Sequence, residues 1–78
     1  MDAKKLIYSE RERYYQKWHN LWRKYGDVEM ARKDAELENK SPEVISDLKV
    51  EEVKVSKQAE EAYAIYNALR QMTVVLEE

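Results

Sequence analysis

Gly26 and Pro42 are the only glycine and the only proline in a chain of 78 residues, and that scarcity excludes most folds. A β-sandwich needs many tight turns, and tight turns draw on residues that reach left-handed or fixed φ values. A chain with two such residues has room for two sharp breaks. The rest of the chain is rich in Glu, Lys, Arg and Ala, which favour helix, and phenylalanine is absent. The expected class is all-α: an antiparallel helical hairpin of a long helix, a short middle helix and a second long helix.

The first helix is expected over residues 2–25. On a 100° wheel centred on Trp18, the side chains of Ile7, Tyr14, Leu21, Trp22 and Tyr25 fall within about 60° of the centre. Tyr15 lies at the border of that stripe and Tyr8 just beyond it. Gly26 then stands where a helix C′ position calls for a left-handed residue, with Asp27 free to cap a second helix. That short middle helix is expected over 28–39, with a thin apolar set of Val28, Met30, Ala31, Ala35 and Leu37.

"NKSPE" marks the second break. Ser41 can cap, and Pro42 fits the first helical position because its missing N–H costs nothing there. The last helix is expected over 42–76. Leu48, Val55, Ala62, Leu69 and Leu76 recur every seven residues, with Ala59, Ile65, Tyr66 and Met72 beside them. That is a coiled-coil-like seam. "DLKVEEVKVS" carries a partial strand signal, but its alternation breaks phase at Glu51-Glu52 and no turn residue closes a hairpin, so helix is expected through 48–56.

Two polar residues intrude on these stripes. Arg11 falls about 20° from the centre of the first helix's apolar face, and Glu51 about 20° from that of the last. Opposite charges on facing stripes either meet as a buried pair that fixes register, or reach water separately by snorkelling where the helices end or diverge.

All 78 residues form one domain, and a domain this small is marginal without help from disulfides, a metal or a partner chain. There is no cysteine, and the single histidine, His19, cannot build a zinc site alone. No cofactor or metal is expected, and the remaining helper is association, as a dimer or larger bundle. Its interface is expected to draw on Tyr8, Tyr14, Tyr15, Trp18, Leu21, Trp22 and Tyr25 from the first helix. The last helix would supply Leu48, Val55, Ala62, Tyr66, Leu69, Met72 and Leu76. The absence of Phe sharpens this, since Tyr and Trp have an apolar body and a polar tip suited to an interface with a wet rim. Tyr8, Tyr15 and Trp22 lie at one margin, and Tyr63 and Val74 lie outside the main seam of the last helix.

No apolar h-region follows Lys4 and Lys5 and no apolar run is long enough to span a bilayer, so a cytoplasmic chain without membrane contact is expected. Residues 1–26 carry seven Lys/Arg against three Asp/Glu, whereas residues 27–78 carry seven against thirteen. The aromatic stretch "YYQKWHNLWRKY" raises single-strand binding, in which bases stack on aromatics and cations hold phosphates. Arg13, Lys17, Arg23 and Lys24 project away from the Trp18 face, however, which disfavours nucleic acid. Catalysis by His19 with Glu12 is disfavoured too, because a thin helical assembly lacks a dry, concave site.

The block "YGDVEMARKDAELE", the Pro-capped break and the ending "AYAIYNALRQMTVVLEE" together resemble small helical proteins of tailed phages and prophages of Gram-positive bacteria. Those are often encoded among early genes for recombination and replication. The resemblance implies no enzyme activity. It implies an accessory role beside a phage or host replication or recombination protein. An alternative is an acidic inhibitor that imitates DNA through Glu36, Glu38, Glu43, Asp47, Glu51, Glu52, Glu60 and Glu61.

Overall fold

The computed structural model describes residues 2–77 as two helices, α1 over Ala3–Leu37 and α2 over Pro42–Glu77, joined by residues 38–41. No strand occurs among the described residues, and the class is the expected all-α antiparallel hairpin. The segment 48–56 lies inside α2: Leu48 and Val55 turn inward while Val50 and Val53 stay exposed, a helical rather than a two-residue period.

The expected break at Gly26 does not form, and residues 28–39 are not a separate helix. Gly26 continues α1 with a helical, negative φ. Glycine there costs about 1 kcal/mol relative to alanine, but the packing stripe runs straight through it. Tyr14, Trp18, Leu21, Tyr25, Val28, Arg32 and Ala35 alternate in steps of four and three, and all are buried or half-buried. Gly26 lies off that stripe, so the gain from docking the whole helix outweighs the local penalty.

The turn lies at Asn39 instead. Its φ of 55° is the only positive value at a non-glycine residue among those described. Asn39 N–H donates to the Glu36 carbonyl at 3.3 Å, and Lys40 N–H to the Ala35 carbonyl at 2.9 Å. These bonds satisfy the last carbonyls of α1 in a Schellman arrangement with asparagine at C′. Asparagine tolerates this region because its short polar side chain lowers the cost of a left-handed residue. Ser41 caps α2 as expected: its Oγ accepts from Val44 N–H at 3.4 Å, with Pro42 opening the helix. At the other end Asp2 caps α1, its carboxylate accepting from Lys4 N–H at 3.0 Å.

On α2, Ile45, Leu48, Glu52, Val55, Ala59, Ala62, Tyr66, Leu69 and Thr73 repeat the same three-four step and face α1. Large residues meet small ones: α1 brings Trp18, Leu21 and Tyr25 to a stretch of α2 that holds Ala59 and Ala62, both buried. This is two-stranded antiparallel coiled-coil packing, drawn out into a rod whose Cα atoms span 56 × 19 × 13 Å.

The expected Arg11–Glu51 pair does not form. Arg11 Nη1 donates to Thr73 Oγ1 at 3.1 Å near the open end of the hairpin. Glu51 lies at a margin of the seam, 3.7 Å from Lys24 Nζ. The register separates the two intruders by roughly 30 Å along the rod, at 1.5 Å per residue. The acid in the seam is the next residue, Glu52, which Arg32 Nε meets at 2.5 Å. Arg32 Nη1 also reaches the Glu36 carboxylate at 3.2 Å.

Candidate functional site

The heptad places Tyr8, Tyr15 and Trp22 on one margin of α1, next to but outside the seam. On α2 the matching margin carries Ser56 and Tyr63. Tyr14, Trp18, Leu21 and Tyr25 turn toward α2 and are half-buried, as the stripe predicts. Leu48, Val55, Ala62, Tyr66 and Leu69 face them. Met72 and Leu76, also expected at the interface, are exposed at the open end of the single chain.

The aromatic side chains gather into two groups. In the first, Trp18 stacks on Tyr66 with centroids 6.2 Å apart and meets Tyr63 at 5.0 Å. Tyr15 touches both Trp18 and Tyr66, and His19 lies flat on Tyr15 at 6.1 Å. In the second, Trp22 stacks on Tyr25 at 5.3 Å, one turn further along α1. Between the two groups runs an open groove of about 490 Å³, lined by Trp18, Trp22, Tyr25, Ser56, Ala59, Glu60 and Tyr63. Its floor is low because Ser56 and Ala59 are small. Its walls are high because Trp22 and Tyr63 remain 56% and 45% exposed.

Sequence reasoning placed Tyr15 and Trp22 at one margin of the first helix's stripe and Tyr63 outside the last helix's seam, with nothing to join the two. The hairpin brings them to one side. A depression of small residues between aromatic walls is suited to receive an apolar or aromatic side chain from another surface. A second open groove, about 510 Å³, lies at the open end among Ile7, Ala68, Gln71, Met72, Val75 and Leu76.

The charges are placed differently. Arg11 lies over Tyr8 at 4.8 Å from the ring centroid, and Arg13 and Lys17 approach Tyr14 at 5.2 and 5.6 Å. Lys24 is held by Glu51. No cation lines the aromatic groove, and its one charged residue is Glu60. A polyanion laid along Trp22 and Tyr63 would therefore meet a carboxylate where it needs a lysine. Acidic mimicry is weakened as well, because Glu36, Glu51 and Glu52 are engaged by Arg32, Lys24 and Lys49.

His19 and Glu12 do not pair. His19 stacks on Tyr15, and the Glu12 carboxylate accepts from Gln16 Nε2 at 3.2 Å. Among the described residues, no group of three or more His, Cys, Asp or Glu side chains is placed to hold a metal ion. No helix among them is long and apolar enough to cross a membrane.

Two hydroxyls feel their surroundings. Tyr25 is pushed above the ordinary tyrosine value of 10.0, chiefly by burial and then by the nearby charges of Glu29 and Glu52. Tyr8 is raised as well, chiefly because its hydroxyl donates to Glu77. Arg32 is raised by its hydrogen bond to Glu52, against the opposing effect of burial.

Sequence reasoning missed Arg32, Glu52 and Thr73 as seam residues. Their signal was present: Arg11 and Arg32 are three heptads apart, and so are Glu52 and Thr73. Treating Gly26 as a stop cut that repeat in two. Compared with known proteins, the chain matches no family model, no curated protein and no solved structure.

Proposed function

We propose that this chain is a non-enzymatic helical interaction protein whose working surface is the aromatic side of the hairpin. The single observation that supports this reading is the exposed groove between the Trp22–Tyr25 pair and the Trp18–Tyr63 pair. Exposed tryptophan and tyrosine flanking a small-residue depression are what binding hot spots are made of. The role of an accessory to phage or host replication and recombination belongs to the proposal through the sequence resemblance alone.

The test is affinity capture with the intact chain, its Trp22→Ala and Tyr63→Ala variants, and nuclease-treated lysate. The expected result is a protein that is retained after nuclease and lost with both variants. Retention only through nucleic acid would transfer the aromatic stretch to a base-stacking role. Binding of a single-stranded oligonucleotide, followed by fluorescence anisotropy at physiological salt, supplies the direct check on that outcome. Capture of a DNA-binding enzyme that loses its DNA would favour the acidic-mimic alternative.

A further inference from the structure

Three properties of the aromatic side bear on what covers it. The first is position. Trp22 and Ala59 lie close to the midpoints of the 35-residue α1 and the 36-residue α2, so the groove occupies the middle of the rod. A second rod laid on the first and turned end for end would therefore place groove on groove. An isologous contact requires this, because each patch must serve as both donor and acceptor of the same contacts.

The second property is charge. The half of the rod that holds the turn, residues 27–59, carries nine acidic and six basic side chains. The remaining residues, 1–26 and 60–78, carry eight basic and seven acidic. The excess negative charge is thus concentrated in the half that holds the turn, and the rest of the chain is close to neutral. Two rods in the same direction set the two acidic halves together, and two rods reversed hold them apart.

The third is area. The broad face has a footprint of about 1,000 Å² from its 56 by 19 Å extents, so a standard interface of ~800 Å² per partner engages most of its length.

We propose that the aromatic face is covered by a second copy of this chain, packed end for end about a two-fold axis near Trp22, to give an antiparallel four-helix assembly. This inference rests on the interaction reading above and names the partner for the same surface. α1 then lies over its own copy and α2 over its own, and Trp22 and Tyr63 of each chain are buried in the contact. Met72, on the opposite margin of α2, stays outside the contact.

Sedimentation equilibrium across micromolar to millimolar concentration tests the face. The wild type should dimerise, and Trp22→Glu or Tyr63→Arg should weaken dimerisation by about thirtyfold or more, the scale of a hot-spot loss. Met72→Glu should leave it unchanged. Far-ultraviolet circular dichroism on each variant separates lost association from lost folding. A helical wild type that stays monomeric at millimolar concentration overturns the self-association, and so does a dimer that dissociates with Met72→Glu but not with Trp22→Glu. If the chain stays monomeric, capture of a separate protein that is lost with Trp22→Ala and Tyr63→Ala keeps the interaction reading and overturns only the second copy as its partner.

The direction is read by a nitroxide on Lys40→Cys, the only thiol in that variant. The reversed arrangement places the two labelled turns at opposite ends, separated by close to the 56 Å length of the rod. A pair in the same direction brings them within about two helix diameters, ~20 Å, and overturns the end-for-end geometry.

Discussion

Arg32 is an ion in a seam whose next layers along α1 are Val28 and Ala35, and it is there because Glu52 is opposite. Removing one partner leaves the other charge half-buried and unpaired, whereas removing both leaves an apolar layer. Arg32→Met and Glu52→Met are each expected to destabilise the hairpin in urea unfolding, and the double variant to recover most of the loss. Additive effects would show that the pair contributes nothing to the seam. Arg11 differs, since its partner is the neutral hydroxyl of Thr73, which itself donates to the Arg70 carbonyl at 2.7 Å. Tyr25 contributes to the alkaline pH dependence, together with Tyr8, which is raised in the same direction. The raised value of Tyr25 means that the folded state favours the neutral phenol. That contribution is complete below the unfolded value near 10 and is lost as pH rises through the folded one. Thermal stability should therefore hold to about pH 9 and fall beyond pH 10, with a shallower fall in Tyr25→Phe. An identical alkaline limb in that variant would remove Tyr25 as its cause.

At the scale of the helices, the decisive competition is between one glycine and one stripe. Capping rules assign Gly26 to a helix end, and they are sound as local rules. They lost because α1 docks along its whole length, and the seven-residue repeat from Trp18 to Ala35 needs the helix unbroken. An alanine Cβ at Gly26 would meet nothing within 4 Å. Gly26→Ala is accordingly expected to stabilise the protein by about 1 kcal/mol, measured by thermal or urea unfolding followed by circular dichroism. A loss of stability there would mean a left-handed residue and restore the break. The second turn was legible because Ser41 and Pro42 act through their own chemistry, independent of packing. Asn39 was not, because asparagine takes the left-handed region only where the chain must reverse. The aromatic margins were legible singly from the wheel. Their convergence into one groove was not, because it depends on the register that pairs Trp18 with Tyr66, and register is a property of two helices together. The pairing of Arg11 with Glu51 failed for the same reason: a wheel gives direction around a helix and nothing of position along it.

Taken whole, the molecule buries too little. Among the described residues the fully buried apolar set is Ala35, Val55, Ala59 and Ala62, while residues as large as Trp22, Met30, Val53, Tyr63, Ile65 and Met72 stay exposed. Two helices packed along one seam have no third layer to cover their outer margins, and a core of three alanines and a valine is small for a chain of this length. If a second copy supplies the missing layer, folding and association are one equilibrium, and stability must depend on protein concentration. For a two-state dimer, each hundredfold rise in concentration adds about 2.7 kcal/mol per dimer. With an unfolding entropy of about 2.1 cal/mol/K per residue, two chains gain roughly 8 °C in Tm over that range. Calorimetry at two concentrations a hundredfold apart reads this directly. Trp22→Glu should flatten the dependence and unfold at the lower temperature throughout. A wild-type Tm independent of concentration, with a fully helical spectrum, would mean that the single hairpin stands alone. The aromatic side would then be a surface reserved for a different partner.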